Sequence, residues 1–263
     1  MLSDLHWAAR TAEDLNDLAR RDAIVVLPLS STEQHGPHLP TGCDTILTEA
    51  VVERMARLVS PHRPILIAPT VWIGLAQHHI AFGGSFSVSM ATYHALLRDI
   101  VTSIRVAGFR RLLLVNGHGG NISALHVLTD ALTQETGLAV ASTTYTLLPN
   151  QQSALEAILE DQLILQHACE AETSMMMAAR PDLVRVDRLG EAFQPGYSKG
   201  DASPLSDPLL LWSSFKDFCP SGVRGDARRA SVEKGERILA IAAELLATKL
   251  IAGEPWNRQV GAA

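Results

Sequence analysis

The sequence predicts an α/β protein of the three-layer α/β/α class, in which helices cover both faces of a mostly parallel central sheet. Apolar runs that favour strands alternate along the chain with segments of helical spacing, which is typical of this class. The strand-like runs are also apolar throughout, as expected for strands that are buried on both faces. Because 263 residues fit around one core, we expect a single domain over residues 1–263.

The first half of the chain predicts three pairs of strand and helix. The strands are predicted at residues 23–29, 65–71 and 111–115, each a short apolar run. The helices are predicted at 45–58, 92–108 and 122–136, where apolar residues recur three to five positions apart. Gly108 and Gly137 end the second and third helices in the manner of a C-terminal cap.

The second half predicts one more strand, at 138–145, and helices at 153–165, 172–179 and 227–252. Three consecutive methionines in the helix at 172–179 are interpreted as core residues. Residues 190–224 are rich in Gly, Pro and Ser and lack a regular pattern. A loop of this length in a compact domain usually forms a lid, a binding loop or a subunit contact.

Charge and composition narrow the classes of function. The formal net charge is −6 and no run of Lys and Arg is present, which argues against nucleic-acid binding and favours a small-molecule partner. No apolar stretch is long enough to cross a membrane and no secretory leader is visible, so we expect a cytoplasmic, soluble protein. Cys43, Cys169 and Cys219 are too widely spaced for a disulfide framework or a zinc knuckle, and we predict buried thiols.

The loop after the first predicted strand, SSTEQHGPHLPTGCD, carries the first group of candidate ligands. Glu33 and His35 are two residues apart, so in extended backbone their side chains project to the same side. Asp44 lies at the end of the loop, just before a helix, and its carboxylate could bridge two cations. The carboxyl ends of parallel strands share one crevice, and ligands bind there.

Two further polar clusters also flank predicted strands or helices. The segment NGHGGN places His118 directly after the third strand, and HACEAETS adds His167, Glu170 and Glu172 at the start of a helix. Together these nitrogen and oxygen donors suit Zn or Mn. Any one of them alone is better explained as a helix cap or a satisfied polar residue, and for Glu172 we favour capping or support over ligation. The coincidence of three clusters indicates a metal site.

At these segments the sequence resembles the creatininase family, the amidohydrolases named for creatinine amidohydrolase. The similarity runs in order through STEQHGPHLPTGCDT, QHHIAFGGSFS, NGHGGN, HACEAETS and GVRGDARRASVEKGERIL. It implies a three-layer α/β/α fold, assembly as a homohexamer, and two divalent metal ions per subunit, Zn and/or Mn. By the same resemblance Glu33, His35 and His118 are metal ligands, and Asp44 bridges the two metals.

Two departures from the family pattern change the expectation. Creatininase proper has a glutamate ligand where this chain has Gly120, and the resemblance to members with NGHGGN suggests Glu170 as the replacement. The histidine that opens HACEAETS, His167, corresponds to the family's catalytic acid/base. Residues 146–166 contain none of the tryptophans that creatininases proper place over the ligand, which argues against creatinine as the substrate.

The function predicted from these residues is a two-metal amidohydrolase that cleaves the C–N amide bond of a small molecule. Metal-activated water would attack the carbonyl, and His167 would donate a proton to the leaving nitrogen. One alternative is a peptidase of the same site architecture, acting on a peptide precursor through an open 190–224 loop. Another is a non-catalytic metal-binding subunit. His79 is interpreted as a substrate or interface residue, and His38 as lying outside the ligand set.

Overall fold

The computed structural model describes residues 4–148, 151–160, 162–198, 209 and 211–257. Its centre is a parallel sheet of the strands β1 (Ile24–Leu29), β2 (Ile65–Ile67), β3 (Arg111–Asn116) and β4 (Ala139–Thr144). Their order across the sheet is β2-β1-β3-β4. Because β1 and β3 are parallel neighbours in full register, the residues that follow them emerge at the same edge of the sheet.

Helices lie on both faces of this sheet. In the described part of the chain the α-helices are α1 (Ala12–Arg20), α2 (Cys43–Val59), α3 (Met90–Val106), α4 (Ile122–Thr136), α5 (Gln151–Glu156), α6 (Glu170–Ala179), α7 (Phe215–Phe218) and α8 (Val232–Ile251). Short 3₁₀ turns connect several of them, including one at Gln77–Phe82.

The side chains of β1 divide between two hydrophobic cores. Ile24 and Val26 pack on one face with residues of α2, α6 and α8. Val25, Leu27 and Leu29 pack on the other face with residues of α1, α3 and α4. Both faces of the strand are therefore buried, which explains its continuous apolar sequence. The predicted three-layer α/β/α class is confirmed.

Most predicted helices occur within two residues of their expected bounds, but some elements differ. The strand predicted at 65–71 ends at Ile67, because Pro69 has no N–H to offer the sheet and pairing with β1 resumes only at Val71. The helix predicted at 153–165 ends at Glu156. Beyond it, the Gln162 side chain bonds the backbone of Glu170 and of Ile164, so contacts with α6 override the local helical spacing.

Two more elements depart from the prediction at the two ends of the chain. Helix α1 was not predicted, although Thr11 and Asp14 form a reciprocal capping box at its start. The last helix, predicted from residue 227, begins at Val232, where the Ser231 side chain accepts a hydrogen bond from the Lys234 N–H.

Met175 and Met176 are fully buried, in agreement with the prediction of core methionines. Within the described residues, no helix is both long and apolar enough to cross a membrane.

Candidate metal centre

The C-terminal edge of the sheet brings together side chains from three loops. Glu33 and His35 follow β1, and His118 follows β3, so the parallel pairing of the two strands places them side by side. The Asn116 side chain fixes the turn at His118: its oxygen accepts from the His118 N–H and its amide donates to the His118 carbonyl. The three residues are buried, with 1–2% of their surface exposed.

Asp44 lies between two of these histidines. It is the second residue of α2, and its two carboxylate oxygens face different partners. Oδ1 lies 3.2 Å from His35 Nε2, whereas Oδ2 lies 3.1 Å from His118 Nδ1. A carboxylate that presents one oxygen to each of two neighbouring donors has the arrangement required to bridge two cations.

Glu33 joins His118 to a second pair of histidines. Its Oε2 lies 3.0 Å from His118 Nδ1, and its Oε1 lies 3.3 Å from His79 Nε2 and 3.7 Å from His167 Nδ1. His79 comes from the 3₁₀ turn at Gln77–Phe82 and is buried. Sequence reasoning left the role of His79 open, and the structure places it in contact with the proposed ligand Glu33.

The two glutamates of HACEAETS point in different directions: Glu172 faces His35, whereas Glu170 pairs with Lys234. Glu172 Oε2 lies 3.9 Å from His35 Nε2, and suitable donor atoms of Glu172, His35 and His167 fall within 4.8 Å of one another. Glu172 also accepts a hydrogen bond from the Ala168 N–H, which is a contact of the supporting kind expected from the sequence. Ala168 adopts a left-handed conformation, φ 51°, that turns this N–H toward the carboxylate.

Glu170, the predicted replacement ligand, points away from the cluster. Its Oε1 lies 2.6 Å from Lys234 Nζ, and both of its oxygens accept from the Glu160 N–H. It belongs to none of the ligand groups found among the described residues. The reason is geometric: residues 170 and 172 differ by about 200° around a helix, so only one can face the sheet edge. Glu172 is the one that does.

The histidines are held in the manner of metal ligands. The carbonyl of Glu33 accepts from His35 Nδ1 at 3.1 Å, and the carbonyl of Leu75 accepts from His118 Nε2 at 3.3 Å. In each ring the other nitrogen faces the carboxylates. Metal-binding histidines are usually anchored in this way through the nitrogen that does not bind the metal.

Three buried atoms at this centre lack a well-formed hydrogen bond: Glu33 Oε2, Asp44 Oδ2 and His35 Nε2. Buried polar atoms are normally satisfied, and an exception requires an explanation such as an ion. Three carboxylates and two anchored imidazoles also match the oxygen and nitrogen donors that Zn and Mn accept. The residues present therefore fit divalent cations.

The pKa values at the centre reflect burial opposed by neighbouring charge. Burial raises the pKa of Glu33, and it raises the pKa of Glu172 to about 7. For Asp44 burial acts in the same direction, but contacts with His35 and His118 outweigh it and hold the pKa well below its ordinary value. Burial lowers the pKa of His118, yet Glu33 and Asp44 reverse the shift and raise it to about 10. The carboxylates thus favour a positive charge at the centre.

His167 differs from His35 and His118 in its exposure and in the direction of its pKa shift. Its side chain is the most exposed of the cluster at 14%. Its Nε2 donates to the Gln34 carbonyl at 2.9 Å. Its Nδ1 is therefore the basic nitrogen, and it lies on the side of Glu33. Burial and the nearby His35 and His79 lower its pKa well below the ordinary value. His167 is therefore neutral near pH 7, with its proton on Nε2.

An aromatic side chain from the 190–224 region covers this histidine. Phe215, in α7, packs against His79 and His167 with ring centroids 4.6 Å and 4.9 Å apart. Residues 199–208 and 210 of that region lie outside the described residues. Among the remaining histidines, His78 stacks on His118 with ring centroids 5.8 Å apart, whereas His38 and His94 have other partners. His38 is buried but bonds Thr173, and His94 pairs with Glu135 at the surface.

Gly120 could not carry a glutamate in this backbone. A Cβ atom there would collide with the Leu75 carbonyl and with the His118 ring. The turn after β3 is therefore built for glycine, and α6 brings the Glu172 carboxylate to His35 in addition to Asp44.

Comparisons with known proteins agree with this architecture. The sequence profile described as creatininase, creatinine amidohydrolase, matches residues 8–250. The chain is 33% identical to a mycofactocin precursor peptide peptidase of Mycobacterium ulcerans, over 82% of this chain and 80% of that protein. It is 28% identical to a creatinine amidohydrolase of Pseudomonas putida, over 94% of each. A solved mutant creatininase of a Zn-Zn type superposes with a TM-score of 0.79 at 25% identity, covering 97% of this chain and 100% of that one.

Proposed function

Because this chain belongs to the creatininase family and is a hydrolase acting on C–N bonds, we propose that it is a two-metal amidohydrolase of a small molecule. The two carboxylate oxygens of Asp44, each facing a different histidine, are the observation that supports two cations rather than one. Glu33 and His118 would complete one cation site with Asp44. His35 and Glu172 would complete the other.

The chemistry divides between the cations and the protein. When bound, two divalent cations would lower the pKa of water to about 7 and polarise the substrate carbonyl. His167 would take a proton at Nδ1 and pass it to the leaving nitrogen, while its Nε2–H stays bonded to the Gln34 carbonyl. His79, which contacts Glu33 and stacks on His167, would hold both in place.

The side chain that packs over the centre supports a small substrate. Phe215 packs against His167 with ring centroids 4.9 Å apart, which favours a small amide, lactam or formamide over an extended peptide. The 33% identity to a peptidase favours the second candidate, cleavage of a peptide precursor. Turnover of small amides and of short peptides by the same preparation distinguishes the two.

The first test is metal content, measured by elemental analysis of protein purified without chelator and reloaded with Zn or Mn. We expect about two equivalents in the wild type, about one in Glu172→Gln, and fewer still in Asp44→Asn, because Asp44 serves both sites. His94→Asn, which removes an exposed ion pair, is the control and should keep both. Less than half an equivalent in the reloaded wild type would leave the two-metal proposal without support and favour a different activity.

Assembly and location are further proposals. We propose a homo-oligomer, a hexamer by family resemblance, and a cytoplasmic location. Trp72 and Phe86, which are in edge-to-face contact and at least half exposed, are aromatic side chains that a subunit contact would bury. Light scattering coupled to gel filtration tests the assembly: a monomer at micromolar concentration would contradict it.

A further inference from the structure

The C-terminal segment 222–239 resembles the family yet contributes none of the candidate metal ligands among the described residues. Its Lys234, in the first turn of α8, is instead directed at the start of α6. Lys234 Nζ lies 2.6 Å from Glu170 Oε1 and 2.7 Å from Glu160 Oε1, and it donates to the Arg229 carbonyl at 2.7 Å. The Lys234 side chain is 14% exposed and that of Glu170 is fully buried.

Glu170 is fixed by more than this ion pair. Its two carboxylate oxygens accept from the Glu160 N–H at 3.1 Å, and its own N–H donates to the Gln162 side chain at 2.8 Å. The first residue of α6 is thereby tied to the preceding loop and to α8. A buried carboxylate with its countercharge and hydrogen bonds in place is costly to disturb on one side only.

A second contact joins the same two helices one turn further on. A Cβ atom at Gly235 would collide with the Ser174 carbonyl, so the backbones of α8 and α6 touch at this point. The Ser174 hydroxyl donates to the Glu170 carbonyl at 2.6 Å and accepts from the Ser231 N–H at 3.1 Å. Glycine at 235 is required here because any side chain would push the helices apart.

These two contacts lie on one face of α6, and Glu172 lies on the other. Residues 170 and 174 are one helical turn apart, whereas 172 projects to the opposite side, toward His35. We propose that Lys234 is a positioning residue: by clamping Glu170 against α8, it holds the first turn of α6 so that Glu172 reaches the metal centre. Because Lys234 pairs with Glu170, Glu172 is the carboxylate of this helical turn that remains to bind the cation. The inference rests on the proposed function only in that Glu172 binds a cation.

The test is the affinity of the two zinc equivalents, measured by competition with a chromophoric chelator in Lys234→Met, Lys234→Arg and Glu236→Gln. In Lys234→Met we expect the second zinc to bind at least ~10-fold more weakly and the first to be unchanged, the range seen when partners of metal ligands are removed. Lys234→Arg keeps the charge and should restore most of the affinity. Glu236→Gln is the matched control. Glu236 lies in α8, like Lys234, and forms an exposed ion pair of 2.7 Å with Arg54 of α2.

A double variant, Lys234→Met with Glu170→Gln, leaves no unpaired buried charge and keeps the measurement possible if the single variant does not fold. It should fold and still bind the second zinc weakly. Two zinc ions bound at wild-type affinity in the double variant would overturn the positioning role. If the wild type itself binds no zinc, the proposed function fails instead, and the two failures are thereby distinguished.

Discussion

At the scale of single residues, the chemistry of a histidine at the sheet edge depends on which ring nitrogen faces the centre. His35, His118 and His167 each donate one ring N–H to a backbone carbonyl, so the backbone selects the nitrogen that remains for chemistry. The sequence predicts these donors because each follows a strand or precedes a helix. It could not choose between Glu170 and Glu172, because that choice depends on how far α6 is rotated, which is set by packing against α8.

His167 gives the first prediction at this scale. His167→Asn should lower kcat on any accepted amide by roughly 10²–10⁴-fold, since it removes the group that moves the proton. Metal content should stay at the wild-type value, because the ring is placed for proton transfer rather than ligation. Steady-state kinetics and elemental analysis check both parts. Loss of a metal equivalent in this variant would make His167 a ligand instead.

His38 gives a prediction about pH. Burial lowers the pKa of His38 to about 4 from an ordinary 6.5, and its Nδ1 has no hydrogen-bond partner. The stability that this neutral ring contributes is fully present above pH 6.5 and is lost as the pH falls toward 4, by about 3 kcal/mol. In metal-free protein, His38→Asn should therefore lose less stability than the wild type between pH 6.5 and pH 4.5. Urea midpoints across this range provide the measurement, and parallel curves would contradict the assignment.

At the scale of elements, the turns after the strands decide what can sit at the centre. Helices α2, α3 and α4 could be predicted within two residues because their apolar spacing continues over fifteen or more residues. The 153–165 helix could not, because Gln162 makes tertiary bonds to α6 that no local pattern reveals. Helix α1 had a readable signal in Thr11 and Asp14, but its exposed composition hid it.

The turn at Gly120 yields a prediction for this scale. Gly120→Ala should destabilise the protein by about 1–3 kcal/mol and displace His118, because the added methyl meets the Leu75 carbonyl and the imidazole. Weaker zinc binding should accompany the lower urea midpoint. Gly42→Ala is the control: it also lies in a turn before a helix of the centre, but nothing lies within 4 Å of its Cβ position. Equal effects of both substitutions would show that the Gly120 contacts do not matter.

For the whole molecule, the sheet joins two cores while its edge concentrates buried charge. Glu33, Asp44 and Glu172 are all nearly inaccessible, and such a group of carboxylates opposes folding unless positive charge accompanies it. The fold class was predictable because both faces of β1 are apolar. The charge at the sheet edge could not be predicted from the sequence, because it depends on which side chains lie close together in three dimensions.

Metal removal should therefore lower global stability. Chelation is expected to reduce the unfolding free energy by about 4 kcal/mol for each cation if zinc is present at 1,000 times its dissociation constant, since the ions bind the folded state. Asp44→Asn should show almost no response to chelator. Differential scanning calorimetry with and without added zinc measures the effect. An unchanged melting temperature in the wild type would mean that the folded state does not depend on a cation.

The distribution of the centre along the chain has a consequence for biosynthesis. Its side chains are drawn from residues 33 to 172, and the clamp on α6 comes from Lys234, near the start of α8. A polypeptide emerging from the ribosome presents Glu33 and His35 long before α8 exists to set the orientation of Glu172. Nascent chains would hold a cation only loosely, through the early ligands. Tight metal binding is thus postponed until α8 has been synthesised and has packed on α6.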